Sequence, residues 1–236
     1  IDELPQSAAG RTIMTTEPKF VPNQAAQIQV DEGLEVNIRM VDCVGYTVPG
    51  AKGYEDENGP RMIHTPWYDE PIPFHEAAEI GTRKVIQDHS TLGVVVTTDG
   101  SIGEIPRSDY IEAEERVVEE LKEVGKPFIM IVNTVSPYHP DTEVLRSKLQ
   151  EKYDIPVLAM SIESMREGDV INVLREALFE FPVLEVNVNL PRWVMVLNED
   201  HWLRGSYQDA IRETVQDIKR LRDVDRLVAL FEEYEF

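Results

Sequence analysis

Asp42-Cys43-Val44-Gly45 places a carboxylate three residues ahead of a glycine, a spacing suited to chemistry on a phosphate. Such an aspartate can hold the Mg²⁺ of a nucleoside triphosphate, usually through water. The Gly45 N–H, unshielded by any side chain, can meet the terminal phosphate. Taken as four letters alone, the pattern is more ordinarily an aspartate that caps a turn. Thr15 and Thr16 stand ahead of it in the polar stretch 11–18. A threonine there can turn its hydroxyl to Mg²⁺ and its N–H to the γ-phosphate, giving a loop ordered by that phosphate. The bland alternative is a threonine-rich turn.

Two later strand ends, Asn133 and Ser161, would lie on the base side of such a site. Guanine-specific proteins end these strands in N-K-x-D, whose aspartate accepts two hydrogen bonds from the base, and in S-A-K. Here the sequence is Asn133-Thr134-Val135-Ser136 and Ser161-Ile162-Glu163. Without the guanine-reading aspartate, discrimination by buried hydrogen bonds is given up, and ATP fits a fold usually used for GTP. Asp141 lies beyond a proline-containing turn and is expected to start a helix. A G-x-x-x-x-G-K-[ST] phosphate loop is nowhere in these residues; residues 45–52 hold glycines and a lysine but no Ser or Thr after the lysine. The chain opens on Ile1 in polar, loop-like sequence, so a segment removed from its front is expected.

Tyr46 occupies the position where many GTPases orient water with Gln or His. Water positioning is therefore expected from backbone, from the loop that follows, or from a neighbouring subunit, and no base is nominated. His64, His75, His89, His139 and His201 show no zinc-ligand spacing. Cys43, the one cysteine, reads as packing rather than as a nucleophile, and Lys52 and Arg61 as solvated charges.

Periodicity gives the elements that must hold these residues. Val36, Ile38 and Met40 alternate with polar residues and run into Val41, a strand ending at Asp42. In open α/β sheets that carboxyl edge is where ligands bind. Residues 27–30 and 36–41, joined by Asp31-Glu32-Gly33, read as a hairpin, an antiparallel edge strand beside the aspartate-ending one. Residues 46–73 lose periodicity and read as one long loop, with Trp67, Tyr68 and Phe74 packing part of it down. Then comes an alternation: helix 74–89, strand 92–98 buried on both sides, helix 108–124, strand 127–133, helix 141–152, strand 156–160 and helix 167–179.

The expected fold class is α/β, a P-loop GTPase-like doubly wound, mainly parallel sheet with one antiparallel edge strand. Its nucleotide edge collects Asp42, Asp99, Asn133 and Ser161. Residues 1–181 are expected to form this domain without its first strand and phosphate loop. Residues 182–236 are expected to begin a smaller α+β domain: strands 183–190 and 193–197, then a long helix from about Ser206 through Val228 and Phe231. Its apolar stripe would pack on the strand pair or serve as an assembly surface.

A chain of 236 residues with 42% apolar residues can bury a sizeable core. A net charge of −21 argues against binding nucleic acid through phosphate contacts. The single cysteine allows no internal disulfide, and a reducing cytoplasm is expected.

Longer runs are more specific than any of these motifs: D-E-L-P-Q-S-A-A-G, T-I-M-T-T-E-P-K-F-V-P-N-Q-A, R-M-V-D-C-V-G-Y-T-V-P-G-A-K-G-Y-E-D-E-N-G-P-R-M-I and D-I-K-R-L-R-D-V-D-R. On these runs the whole chain resembles the stage IV sporulation protein A family of spore-forming bacteria, morphogenetic ATPases related to translation-factor-type GTPases. The resemblance implies ATP and Mg²⁺ as cofactors, with Asp42 as the Walker B aspartate and Thr15 and Thr16 as sensors of the γ-phosphate. By the assignment of catalytic and metal roles, Asp42 and Thr16 hold the metal, and Gly45, Asn133 and Ser161 bind the nucleotide. It further implies slow hydrolysis driving self-assembly into the basement layer of the spore coat, in the mother-cell cytoplasm at the outer forespore membrane. The implied partners are the protein itself, spore coat proteins, and a small amphipathic membrane-bound peptide contacted by a region after Phe236. The family's phosphate loop falls before Ile1, so the chain alone is expected to be inactive. Two alternatives stand beside this: a scaffold whose nucleotide site is vestigial, and a GTPase of the translation-factor class.

Overall fold

A computed structural model describes residues 19–53, 55–56, 59–65, 68–190, 192–198 and 200–224. Thr15, Thr16, Trp67, Val228 and Phe231 lie outside the described residues. The chain divides into two compact units, residues 1–177 and 178–236.

The first unit opens with a hairpin, β1 (Lys19–Asp31) against β2 (Leu34–Asp42), antiparallel with Ile28 facing Val36 and Lys19 facing Asp42. It is a two-stranded sheet of its own. β1 begins earlier than its apolar run, because an irregularity between Val21 and Ala26 absorbs Pro22, which has no N–H for the ladder. Residues 46–73, read as one loop, instead hold two short antiparallel pairs: β3 (Glu55–Asp56) with β4 (Gly59–Pro60), and β5 (Met62–Thr65) with β6 (Tyr68–Pro73). Two-residue strands and a proline-flanked strand carry too little alternation to be read from letters. Here Ile63 faces Ile72, and the Phe74 N–H donates to the Arg61 carbonyl at 2.7 Å.

α1 (Phe74–Lys84) follows and runs on as a π-helical turn over Val85–His89. Small residues, Ala77, Ala78 and Gly81, let its buried face approach closely. Next come β7 (Gly93–Thr98), α2 (Arg107–Val124), β8 (Phe128–Asn133), α3 (Pro140–Tyr153), β9 (Val157–Met160) and α4 (Glu167–Phe179). β7, β8 and β9 form a three-stranded parallel sheet in that order, each pair joined through a helix. The fold is thus α/β with a parallel sheet, as the alternation predicts, while the antiparallel strands form pairs of their own instead of an edge of that sheet.

β8 is buried from Phe128 to Val132 and supplies both faces of the core. Met130 and Val132 pack with Val95, Val118, Leu121 and Leu149, while Ile129 and Ile131 pack with Val173 and Ala177 of α4. β7 departs from the expectation of burial on both sides, since Val94 and Val96 are 43% and 54% exposed. The reason is width. A helix about 10 Å across covers roughly two strands spaced about 4.8 Å apart, so α4 seated on β8 and β9 leaves β7 uncovered on that face.

The second unit corrects three expectations. Residues 183–190 form no strand: the Val183 N–H donates to the Lys219 carbonyl and Pro182 bridges Arg220, after which the alternating run has no ladder partner among the described residues. Residues 193–197 are not a strand but the end of α5 (Arg192–Met195) and the turn after it, with Val194 fully buried and Trp193 edge-on to Tyr207. The long helix is α6 (Trp202–Gln216), starting earlier, where the His201 ring caps the Leu203 N–H. It stops at Asp217 because the Asp223 carboxylate accepts the Lys219 and Arg220 N–H groups and turns the chain. Glu180, buried, is held by Arg220 at 2.9 Å and Arg222 at 3.1 Å. Among the described residues no helix is long and apolar enough to cross a membrane.

Candidate functional site

β2 delivers Asp42 to a strand end where its side chain is exposed. Crowding by neighbouring protein raises its carboxyl above the ordinary 3.8, although the Cys43 backbone opposes this. Asp42 has no ion-pair partner among the described residues. Burial also pushes the Cys43 thiol up, outweighing the neighbouring Thr82 hydroxyl and Gly45 N–H, so the thiol stays protonated.

Gly45 closes the turn with φ +82°, the left-handed region that favours glycine. Its N–H donates to Thr82 Oγ1 of α1 at 3.0 Å, and that hydroxyl donates to the Ala78 carbonyl at 2.8 Å. Tyr46, 7% exposed, is fixed at its hydroxyl and on one ring face. Its phenol donates to Glu120 of α2, and the Arg116 guanidinium sits 4.0 Å from its ring centre. Arg116 also pairs with Glu79 of α1 at 2.7 Å, while Arg83 reaches Glu120 at 3.5 Å. The Tyr46 hydroxyl is therefore committed to Glu120. Beside it lies an open cleft of about 430 Å³, lined by Tyr46, Glu55, His75, Glu79, Glu112 and Arg116, whose carboxylates disfavour a phosphate.

A second polar group gathers at the carboxyl ends of β7, β8 and β9. Asp99 accepts from the Ser101 N–H at 2.9 Å and from Thr134 Oγ1 at 2.6 Å, with Thr142 Oγ1 at 3.5 Å. Burial works against the Asp99 carboxylate, but the hydrogen bonds from Ser101 and Thr134 outweigh it and hold the carboxyl below its ordinary value. Ser101 Oγ in turn accepts the Val135 N–H at 3.1 Å. Asn133 Oδ1 accepts the Ile162 N–H at 3.0 Å, and the Thr134 N–H donates to the Met160 carbonyl at 3.0 Å. These bonds tie the end of β8 to the loop carrying Ser161. Behind them Arg107, which opens α2, donates to Thr97 at 3.1 Å and pairs with the buried Glu114 at 2.7 Å. Glu114 also accepts from Tyr153 at 2.9 Å, and burial pushes that phenol up to about 12. Gly100, at φ +90°, is required here: a Cβ would stand 2.9 Å from the Arg107 N.

The structure thus joins Asn133 to the Ser161 loop and sets Asp42 with Gly45. No hydrogen bond among the described residues links the two groups. Asp141 lies in the first turn of α3, capped by the His139 ring, as a helix start should. Among the described residues no cluster of three His, Cys, Asp or Glu could cage a metal. Thr82, Arg116, Glu120 and Thr134 were not legible as site neighbours. Thr82 meets Gly45 from 37 positions away, a separation no local pattern encodes.

The family model described as stage IV sporulation protein A, ATPase domain, matches residues 1–182, and that of the middle domain matches residues 183–236. The chain belongs to the stage IV sporulation protein A family. It is 85% identical to stage IV sporulation protein A of Bacillus anthracis and 80% identical to that of Bacillus subtilis (strain 168), each over 100% of this chain and 48% of the relative. The Clostridioides difficile (strain 630) protein of the same name is 47% identical over 100% of this chain and 48% of its own length. The chain therefore spans about half the length of the curated relatives it matches. No solved structure matches it. Family membership supports a role in sporulation and an ATPase-type domain.

Proposed function

We propose that the chain is the ATPase portion of a morphogenetic protein that binds and hydrolyses ATP with Mg²⁺ and so drives its own assembly into the basement layer of the spore coat, on the outer forespore membrane. The observation that carries this is Asp42, an exposed carboxylate with no ion-pair partner among the described residues, at a strand end, three residues before Gly45, within the stretch matching the ATPase domain. The donor set fits Mg²⁺, which keeps several waters and takes one or two carboxylates plus phosphates rather than an all-protein cage. A Mg²⁺ ion held there would supply positive charge against that developing on the phosphates.

Asp42 and Thr16 would hold the metal, Thr15 and the Gly45 N–H would sense the terminal phosphate, and the Asn133 and Ser161 loops would border the base. Asn133 does this by bracing the Ser161 loop, since its oxygen is engaged by Ile162. The Tyr46 phenol, donating to Glu120, moves no proton in the reaction. With the Tyr46 phenol turned to Glu120 rather than toward a water, turnover is slow. Assembly involves further copies of the protein and spore coat proteins, in the mother-cell cytoplasm. A small amphipathic membrane-bound peptide docks on a region outside residues 1–236. The net charge of −21 weighs against nucleic acid.

A scaffold with a vestigial nucleotide site is the second reading, favoured by the apolar exposure of Leu184 at 95% and Val196 at 83%. ATP turnover and sedimentation of the longer protein, beside Asp42→Ala, separate the two. Loss of both turnover and ATP-dependent assembly in the variant supports the ATPase. Equal assembly with and without ATP supports the scaffold, and a preference for guanine in competition points to the GTPase alternative.

A further inference from the structure

We propose that Thr82 limits the preference of this site for a triphosphate over a diphosphate, by holding the Gly45 N–H whenever no terminal phosphate is present to take it. The inference rests on the reading that Gly45 meets that phosphate. A backbone N–H carries one proton, and here it goes to Thr82 Oγ1 at 3.0 Å. Thr82 is 2% exposed, and its own proton is directed to the Ala78 carbonyl one helical turn back at 2.8 Å. The hydroxyl is thereby locked with a lone pair toward Gly45.

A terminal phosphate can take the Gly45 N–H only by stripping it from Thr82. The exchange favours the phosphate, because a hydrogen bond to a charged oxygen is roughly twice as strong as one to a neutral hydroxyl. A diphosphate supplies no oxygen at that position and leaves the Thr82 contact intact. The adjoining residue restricts how far the loop moves: Tyr46 stays seated between Arg116 and Glu120, so the change is confined to the Gly45 peptide. Thr82 therefore lowers the affinity for triphosphate and leaves that for diphosphate unchanged. It acts as a positioning residue that touches neither ligand.

The test uses the full-length protein with Mg²⁺ and measures binding of a non-hydrolysable ATP analogue and of ADP. Thr82→Val keeps the shape and removes the acceptor. The net contribution of one hydrogen bond corresponds to a gain of roughly two- to tenfold in analogue affinity, with ADP affinity unchanged. Thr82→Ser, which keeps the hydroxyl, should restore the wild-type ratio. Thr82→Ala provides a second hydroxyl-free protein if the valine variant does not fold. Amide exchange at Gly45 without nucleotide should be slow in wild type and Thr82→Ser, and faster in the hydroxyl-free variants. An unchanged or lower analogue-to-ADP ratio in those variants, with Asp42→Ala still abolishing the preference for triphosphate, overturns the role of Thr82. If Asp42→Ala keeps the wild-type preference, the site reading itself is overturned, and Thr82 with it.

Discussion

Replacing Tyr46 by Phe removes one hydroxyl and leaves the ring under the Arg116 guanidinium, 4.0 Å away. Hydrogen bonds to charged groups contribute about 1.5–3 kcal/mol, and the low end applies, because Glu120 keeps Arg83 at 3.5 Å and Arg116 at 3.8 Å when the phenol is gone. Tyr46→Ala also loses the buried ring, and aromatic truncations of this kind cost about 3–5 kcal/mol. For a unit of this size about 2–4 °C follows each kcal/mol, giving a fall of roughly 3–6 °C for Tyr46→Phe and roughly 6–20 °C for Tyr46→Ala. Circular dichroism melts provide the measurement. A pH series adds a signed test: burial first, then Glu120, raises the folded phenol above the ordinary 10.0. Wild-type stability is then fully present below pH 10 and declines above it, where only the unfolded phenol gives up its proton. Tyr46→Phe should lack that contribution to the alkaline decline. ATP turnover per folded molecule should change little, because the hydroxyl faces Glu120. A Tyr46→Phe protein as stable as wild type, or as damaged as Tyr46→Ala, refutes the account of this anchor.

Arg107→Met should leave the buried Glu114 carboxylate without its cation and cost about 3–5 kcal/mol in urea unfolding, with most of the loss recovered when Glu114→Leu is added. Asp99→Asn should destabilise the protein at neutral pH. Because the Asp99 carboxyl is held below its ordinary 3.8, its contribution is present above that value and lost as pH falls through the folded one, so the two proteins should converge in acid melts. Gly100→Ala should cost about 1–3 kcal/mol from backbone strain alone, seen as a lower urea midpoint, and more if the Arg107 backbone cannot yield.

The first unit was legible where one period ran uninterrupted. α4 begins and ends where its apolar spacing does, and β8 reads as buried because five apolar residues precede Asn133. Exposure of Val94 and Val96 was not legible, since sequence gives the apolarity of a strand and not the width of what lies over it. The short pairs within 46–73 were hidden by proline and by strands of two residues. In the second unit the alternation of 183–190 suggested a strand, but a strand exists only with a ladder partner. The long helix read from about Ser206 through Val228 was cut short by Asp223, whose side chain takes two backbone N–H groups at the turn. At the site, Asp42 and Asn133 were read from strand ends and Gly45 from its spacing to Asp42, whereas what holds Gly45 and Asn133 comes from a distant helix and a distant loop.

Arg83 and Arg116, beside the turn after β2, and Arg107, behind the end of β7, are paired with Glu120, Glu79 and Glu114, in a chain whose formal charge is −21. Cations already paired with carboxylates do little to soften the field outside. An incoming polyanion therefore approaches uphill, the reverse of electrostatic steering. Shortening the Debye length from about 30 Å at 0.01 M salt to about 8 Å at 0.15 M should quicken its encounter rather than slow it.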